Sequence, residues 1–160
     1  MTLTEVSNIL WRERQLLELL LFKLEEEQLL LAAGRSRWLA HATREVETVL
    51  AEIKRVEETR AAQVQALAVS MGLAPTASLR ELAEAAPPPW DSVFVDHREA
   101  FLAATQEISS LAQDNRELLS RGYHAARQVL SSMDDQRVET YSPAGLTTNR
   151  SPARLVDEAL

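Results

Sequence analysis

The sequence predicts an all-α protein: an elongated antiparallel three-helix bundle or coiled coil with a short connector helix and a flexible C-terminal tail. Two observations carry this. Leu3, Leu10, Leu17, Leu24 and Leu31 recur every seven residues, and a residue repeated at that period stays on one side of an α-helix. Apolar residues make up 46% of the 160 residues but aromatics only 5%, with four glycines. That balance suits helical bundles and serves sheets poorly.

The first helix is expected from about Thr4, as N-cap, to about Ala33, with Gly34 as its C-terminal stop. Arg35-Ser36 makes a short connection, which sets the next helix antiparallel. The second helix covers roughly residues 37–71 and stops at Gly72. Its seam is Leu39, Ala42, Val46, Val49, Ile53 and Val56, broken at Glu57-Glu58-Thr59-Arg60 and resumed out of phase at Ala61, Val64, Ala68 and Met71. Such a break alters supercoiling locally and lets the two halves face different partners. Ser78-x-x-Glu81 reads as a capping box opening a short connector helix, which Pro87-Pro88-Pro89 closes. The third long helix starts near Asp91 or Ser92 and runs to about Met133. Its seam is Phe94, Phe101, Ala104, Ile108, Leu111, Leu118, Ala125 and Val129, with Asn115 as a polar intruder and Gly122 softening it. Residues 1–133 form the bundle in this reading, and 134–160 a flexible polar tail, with a short turn capped by Ser151 and started by Pro152.

Composition excludes several classes. A net charge of −7 argues against nucleic acid, whose recognition needs a basic face. Cysteine is absent, which rules out disulfides and thiolate metal sites and fits a reducing, cytoplasmic setting. No secretory signal and no apolar run near the roughly 20 residues of a bilayer span stand out, so no membrane insertion is expected. His41, His97 and His124 are scattered, and only His41 has a candidate co-ligand at i+4, Glu45. They read as surface or interface histidines rather than metal ligands. Glu25-Glu26-Glu27 reads as a solvated face. No phosphate loop, nucleophile elbow or redox motif is present, so the chain reads as a non-enzyme needing no cofactor.

What remains are surfaces. The leucine seam reads as core, with a dimerising zipper as the alternative; a DNA-binding zipper fails because only two residues precede Leu3. Trp11, Phe22 and Leu29 fall within roughly 20° of one another around the first helix and lie far from the leucine seam. Either that helix is sandwiched between the other two, or it exposes an apolar strip to a partner. Asn115 either fixes register in the core or hydrogen-bonds a client's backbone. Tyr141, isolated in a polar tail ahead of Pro143 and Gly145, reads as a docking peptide or as a ring folded back on the bundle.

In succession these residues resemble the FlgN family of flagellar type III export chaperones. The resemblance rests on five stretches: the Leu- and Glu-rich Leu16 to Leu31; Glu58-Thr59-Arg60 running to Met71-Gly72-Leu73; Leu79-Arg80-Glu81-Leu82; Asn115-Arg116-Glu117-Leu118-Leu119; and Thr140-Tyr141-Ser142-Pro143-Ala144-Gly145. Members often show two nearby asparagines in the third long helix where this chain has one. The resemblance implies a cytoplasmic chaperone that binds the hook–filament junction proteins FlgK and FlgL, prevents their premature assembly and delivers them to the flagellar export gate. On that reading Leu118, Leu119, Tyr123, Ala126, Val129, Leu130 and Met133 form the client groove, because the third long helix outlasts the other two. Trp11, Phe22 and Leu29 add a second strip, and Tyr141 docks at the gate. The protein would be a monomer or weak dimer. The alternative from a different class is a structural coiled-coil adaptor or self-associating scaffold with the leucine seam as its interface.

Overall fold

The computed structural model describes residues 2–140, with side-chain surroundings through residue 134. It contains four helices in the described residues: α1 (Leu3–Ala32), α2 (Ser36–Ser70), α3 (Leu79–Ala85) and α4 (Trp90–Thr140). They fall into two units, Met1–Tyr123 and His124–Leu160. The first holds α1 to α3 and α4 as far as Tyr123; the second continues α4 from His124.

Local sequence accounts for the helix ends. α1 begins earlier than expected, because Thr2 rather than Thr4 is the N-cap: its hydroxyl accepts from the Glu5 backbone N–H while Glu5 accepts from the Thr2 N–H. This Thr-x-x-Glu is itself a capping box. Ser78 and Glu81 form the same reciprocal pair at α3, as expected. Gly34 and Gly72 adopt φ of +64° and +74°. At each, two backbone bonds close a Schellman motif: Arg35 N–H to Leu30 O with Gly34 N–H to Leu31 O, and Leu73 N–H to Ala68 O with Gly72 N–H to Val69 O. The left-handed conformation is strained for any residue with a Cβ, which is why glycine stands at both stops. α4 continues through Thr140 instead of ending near Met133, so residues 134–140 are helical rather than part of the polar tail. No glycine or proline interrupts the chain between Gly122 and Pro143.

Side-chain pairs fix the direction of each helix. Lys23 bonds Glu45, and Arg12 pairs with Glu52; α2 numbers rise as α1 numbers fall, so the two are antiparallel. Ser7 meets His97 and Asn115 meets Leu24 and Glu27, with both numbers rising, so α4 runs parallel to α1. Three long helices cannot all be mutually antiparallel, and α3 with its flanking turns supplies the return path from α2 to α4.

The core divides into two clusters. In one, Val6 and Leu10 of α1 meet Leu67 and Ala68 of α2, Leu82 and Ala83 of α3, and Phe94 of α4. In the other, Leu16, Leu20 and Leu24 meet Val46, Val49 and Ile53, with Ile108 and Leu111 packed alongside. The predicted phase break in α2 falls between them, and the two halves of that helix do face different neighbours. Val64, Ala68 and Met71 resume the seam as expected, joined by Leu67, while Ala61 is exposed. Leu10 and Leu24 are buried and Leu3, Leu17 and Leu31 half-buried, so the heptad leucines belong to the monomer's own core. On α4 the seam runs Phe94, His97, Phe101, Ala104, Ile108, Leu111, Asn115 and Leu118 and then stops. Ala125 and Val129, expected to extend it, are exposed.

Phe94 is fully buried, and Phe94→Ala should destabilise the protein by about 3–5 kcal/mol in denaturant titration. A methyl group added at Gly122 would meet only open space, and the backbone there is ordinary helix. Gly122→Ala should therefore strengthen α4 by up to about 1 kcal/mol, seen as higher helicity and slower amide exchange at its neighbours.

Candidate functional site

Polar side chains lie inside the bundle beside the apolar ones: Ser7, Glu13, His97 and Asn115 are buried. Glu13 occupies an α1 seam position between the two apolar clusters, and its side chain is almost wholly buried. The Arg60 guanidinium approaches it to 2.6 Å as an ion pair, without the alignment of a hydrogen bond. Burial raises the Glu13 pKa, opposed by the positive charge of Arg60. The break Glu57-Glu58-Thr59-Arg60 in α2 is thus where a charged pair, rather than an apolar one, bridges α1 and α2.

His97, read from sequence as a surface or interface histidine, is fully buried where α4 meets α1. Its ring lies between Ser7 Oγ, 3.3 Å from Nε2, and Arg14 Nη1, 3.4 Å from Nδ1. A guanidinium only donates, so Nδ1 must accept and Nε2–H must donate to Ser7. That tautomer is neutral, and burial first, then the nearby Arg14 charge, hold the His97 pKa below its ordinary 6.5. Arg14 also donates to Asp96 at 2.9 Å and stacks 4.2 Å from the Trp11 ring centroid. Trp11 in turn meets His97 edge-on at 5.1 Å. Side chains from two helices therefore position one indole.

Asn115 resolves in favour of register. Buried in the α4 seam, its Nδ2 donates to the Leu24 carbonyl at 2.9 Å and to Glu27 Oε1 at 3.3 Å. These contacts set α4 ahead of α1 by 91 and 88 residues. Carried to Ala32, where α1 ends, those offsets reach residues 120–123 of α4.

The consequence for exposure is direct. Leu118 is half-buried, and every side chain from Leu119 through Asp134 is exposed. Within the first unit Leu119 and Tyr123, four apart, are each about half exposed, at 54% and 53%. Within the second, Ala126, Val129, Leu130 and Met133 are all exposed. The other predicted strip is exposed too: Trp11, Phe22 and Leu29 face outward, so α1 is not sandwiched between its neighbours on that side. Beside Trp11 runs an open groove of about 370 Å³ between α1 and α4, where Gln15, Glu18 and Leu21 face Ala100, Ala104 and Glu107. The small residues Ala100 and Ala104, four apart, are the sequence signal that could have located it. Tyr141 and the Ser151-Pro152 turn lie outside the described residues. No group of three or more His, Asp or Glu side chains is placed to hold a metal ion among the described residues, and no described helix is long and apolar enough to cross a membrane.

Fold and surface together define a helical bundle that keeps apolar helix faces outside its own core. The chain belongs to the FlgN protein family, whose profile matches residues 1–149; it is a flagellar chaperone by family. No curated protein and no solved structure matches it.

Acidification should test the buried histidine. An unfolded chain takes up the His97 proton near pH 6.5 while the folded protein resists it, so the unfolded state binds more protons just below that value and stability falls as pH drops. Glu13 acts oppositely, since its raised folded pKa favours the folded state as pH falls toward 4.5. His97→Gln keeps a donor and an acceptor in place without the titration. Thermal unfolding from about pH 7.5 to 5.5 should show a shallower loss of stability in this variant than in the parent. In a separate cycle, Arg60→Leu should cost on the order of 1–3 kcal/mol by stranding the Glu13 carboxylate. Adding Glu13→Leu should restore most of that in urea titrations.

Proposed function

We propose that this flagellar chaperone acts in the cytoplasm on the hook–filament junction proteins FlgK and FlgL. It covers their terminal helices before assembly and delivers them to the flagellar type III export gate without ATP hydrolysis of its own. The observation that carries the reading is the run of exposed apolar residues on α4 after its seam ends: Leu119 and Tyr123 in the first unit, Ala126, Val129, Leu130 and Met133 in the second. Half-buried Leu118 borders the first of these sets. Spacings of three and four are what an amphipathic client helix needs to lie along another helix. Trp11, Phe22 and Leu29 supply a second apolar strip on α1.

Ordering a disordered client segment typically costs ~2–5 kcal/mol of the gross interaction. Affinity then stays moderate, which suits a complex that must release its cargo. The scaffold alternative draws less support, because its interface would be the leucine seam, and Leu10 and Leu24 are already buried in the monomer. A monomer that forms a one-to-one complex is the expected state in solution.

Leu119→Ser combined with Leu130→Ser should weaken binding to purified FlgK or FlgL by at least roughly tenfold, with the helical circular dichroism unchanged. Unaltered affinity in that folded variant would sink the α4 assignment. Tyr141 is proposed to dock at the export gate separately from client capture. Removing residues 134–160 should then spare the client complex while secretion of the client stops. A truncated chain that no longer binds client would move the tail into the capture site instead.

A further inference from the structure

The end of the α1–α2 hairpin differs in charge from the rest of the chain. Residues 28–44 contain Arg35, Arg37, His41 and Arg44 and no carboxylate. The chain carries −7 overall, so three arginines here leave −10 for everything else. All four basic side chains are exposed. Around them stand two large apolar groups, Leu29 in the last turn of α1, 69% exposed, and Trp38 in the first turn of α2, 49% exposed. The Arg37 guanidinium lies 4.9 Å from the centroid of the Trp38 ring, a cation held against an outward-facing indole.

Helix stability explains these residues only in part, since cations at this turn suit the C-terminal end of α1 but oppose the N-terminal end of α2. Basic groups at a helix N-terminus sit at the positive end of the macrodipole and weaken it. Arg35 is the N-cap of α2 yet makes no side-chain cap bond, and the first turn has no acidic residue. α1 and α3 of the same chain both open with capping boxes. At α2 the choice works against the helix, and what it gains is surface contact alone, Arg37 on Trp38 and Trp38 on His41; such a conflict marks a functional surface.

We propose that this hairpin end docks on a phospholipid surface carrying anionic headgroups. Leu29 and Trp38 project from a tight helix–helix turn, so they can enter an interfacial layer shallowly while the arginines meet phosphates. An acidic peptide would instead be expected in a concavity, which a projecting turn does not offer it. The carboxylates that border the patch are held by other groups: Glu27 by Thr43 and Asn115, and Glu26 and Glu45 by Lys23. Docking is superficial, because no described helix can span a bilayer. Three arginines make a weak, salt-sensitive contact, in which each neutralised arginine lowers partitioning roughly fivefold. Leu29 also belongs to the α1 strip proposed for clients, so the test variants are placed at Arg35, Arg37 and Trp38, outside both client strips.

Co-sedimentation of the full chain with vesicles tests it. The protein should pellet at low salt with phosphatidylcholine vesicles holding about 30 mol% phosphatidylglycerol, not with phosphatidylcholine alone, and should be released as sodium chloride rises. Arg35→Glu with Arg37→Glu should cut partitioning by more than roughly tenfold, and Trp38→Ala should lower it further, with helicity retained. Arg35→Gln with Arg37→Gln serves where charge reversal unfolds the helix end. Equal binding to both vesicle types, indifference to the arginine variants, or failure to pellet with anionic vesicles at low salt would each overturn the proposal. So would capture of polyglutamate in place of vesicles.

Discussion

A hydrogen bond from Asn115 Nδ2 to the Leu24 carbonyl, buried between α4 and α1, sets where everything else falls. Every residue of α1 offers a carbonyl, but slipping α4 by one heptad would put Leu20 or Gly34 where Glu27 accepts the second bond from the same amide. That side-chain contact therefore disfavours neighbouring registers that leucine and isoleucine contacts alone would tolerate. With register fixed, α1 has no residues left to offer α4 beyond 120–123. Leu119 and Tyr123, at that limit, are each about half exposed.

The same logic places polar groups at each division of the core. Glu13 and Arg60 lie between the two apolar clusters, and Ser7, Arg14 and His97 sit at the α1–α4 contact beside the first of them. Replacing a buried ion pair with apolar residues is often neutral or stabilising, so such pairs are better understood as fixing alignment than as adding stability. Each of these contacts binds residues of α1 to one position on a neighbouring helix. Surface pairs such as Arg80–Glu84 do nothing comparable, being exposed and screened.

Much of the fold was legible in the chain because its determinants are local. Heptad spacing, the Ser78–Glu81 box and the glycine stops act over seven residues or fewer, and they predict three long helices and a connector with ends close to those found. Thr2 escaped notice because Thr4, two residues on, offers the same hydroxyl. The polar core was not legible, since Glu13 and His97 interrupt apolar seams and look like surface residues until their partners are known. Those partners, Arg60 and Ser7, lie 47 and 90 residues away in the chain, beyond any local pattern. The apolar strip of Trp11, Phe22 and Leu29 was visible from helical angle alone, but whether a neighbour covered it depended on how α4 lies against α1. Residues after Leu118 were half legible: the excess length of α4 pointed to them, while the seam pattern wrongly extended through Ala125 and Val129.

The parallel run of α1 and α4 has a practical corollary for handling the protein. α1 is 30 residues long, roughly 45 Å at helical rise, and it begins at the end of the bundle closed by α3. Leu119 and Tyr123 stand at the opposite end. An affinity handle or fluorophore fused ahead of Thr2 would therefore emerge well away from them, leaving that region unobstructed for measurements on immobilised or labelled protein.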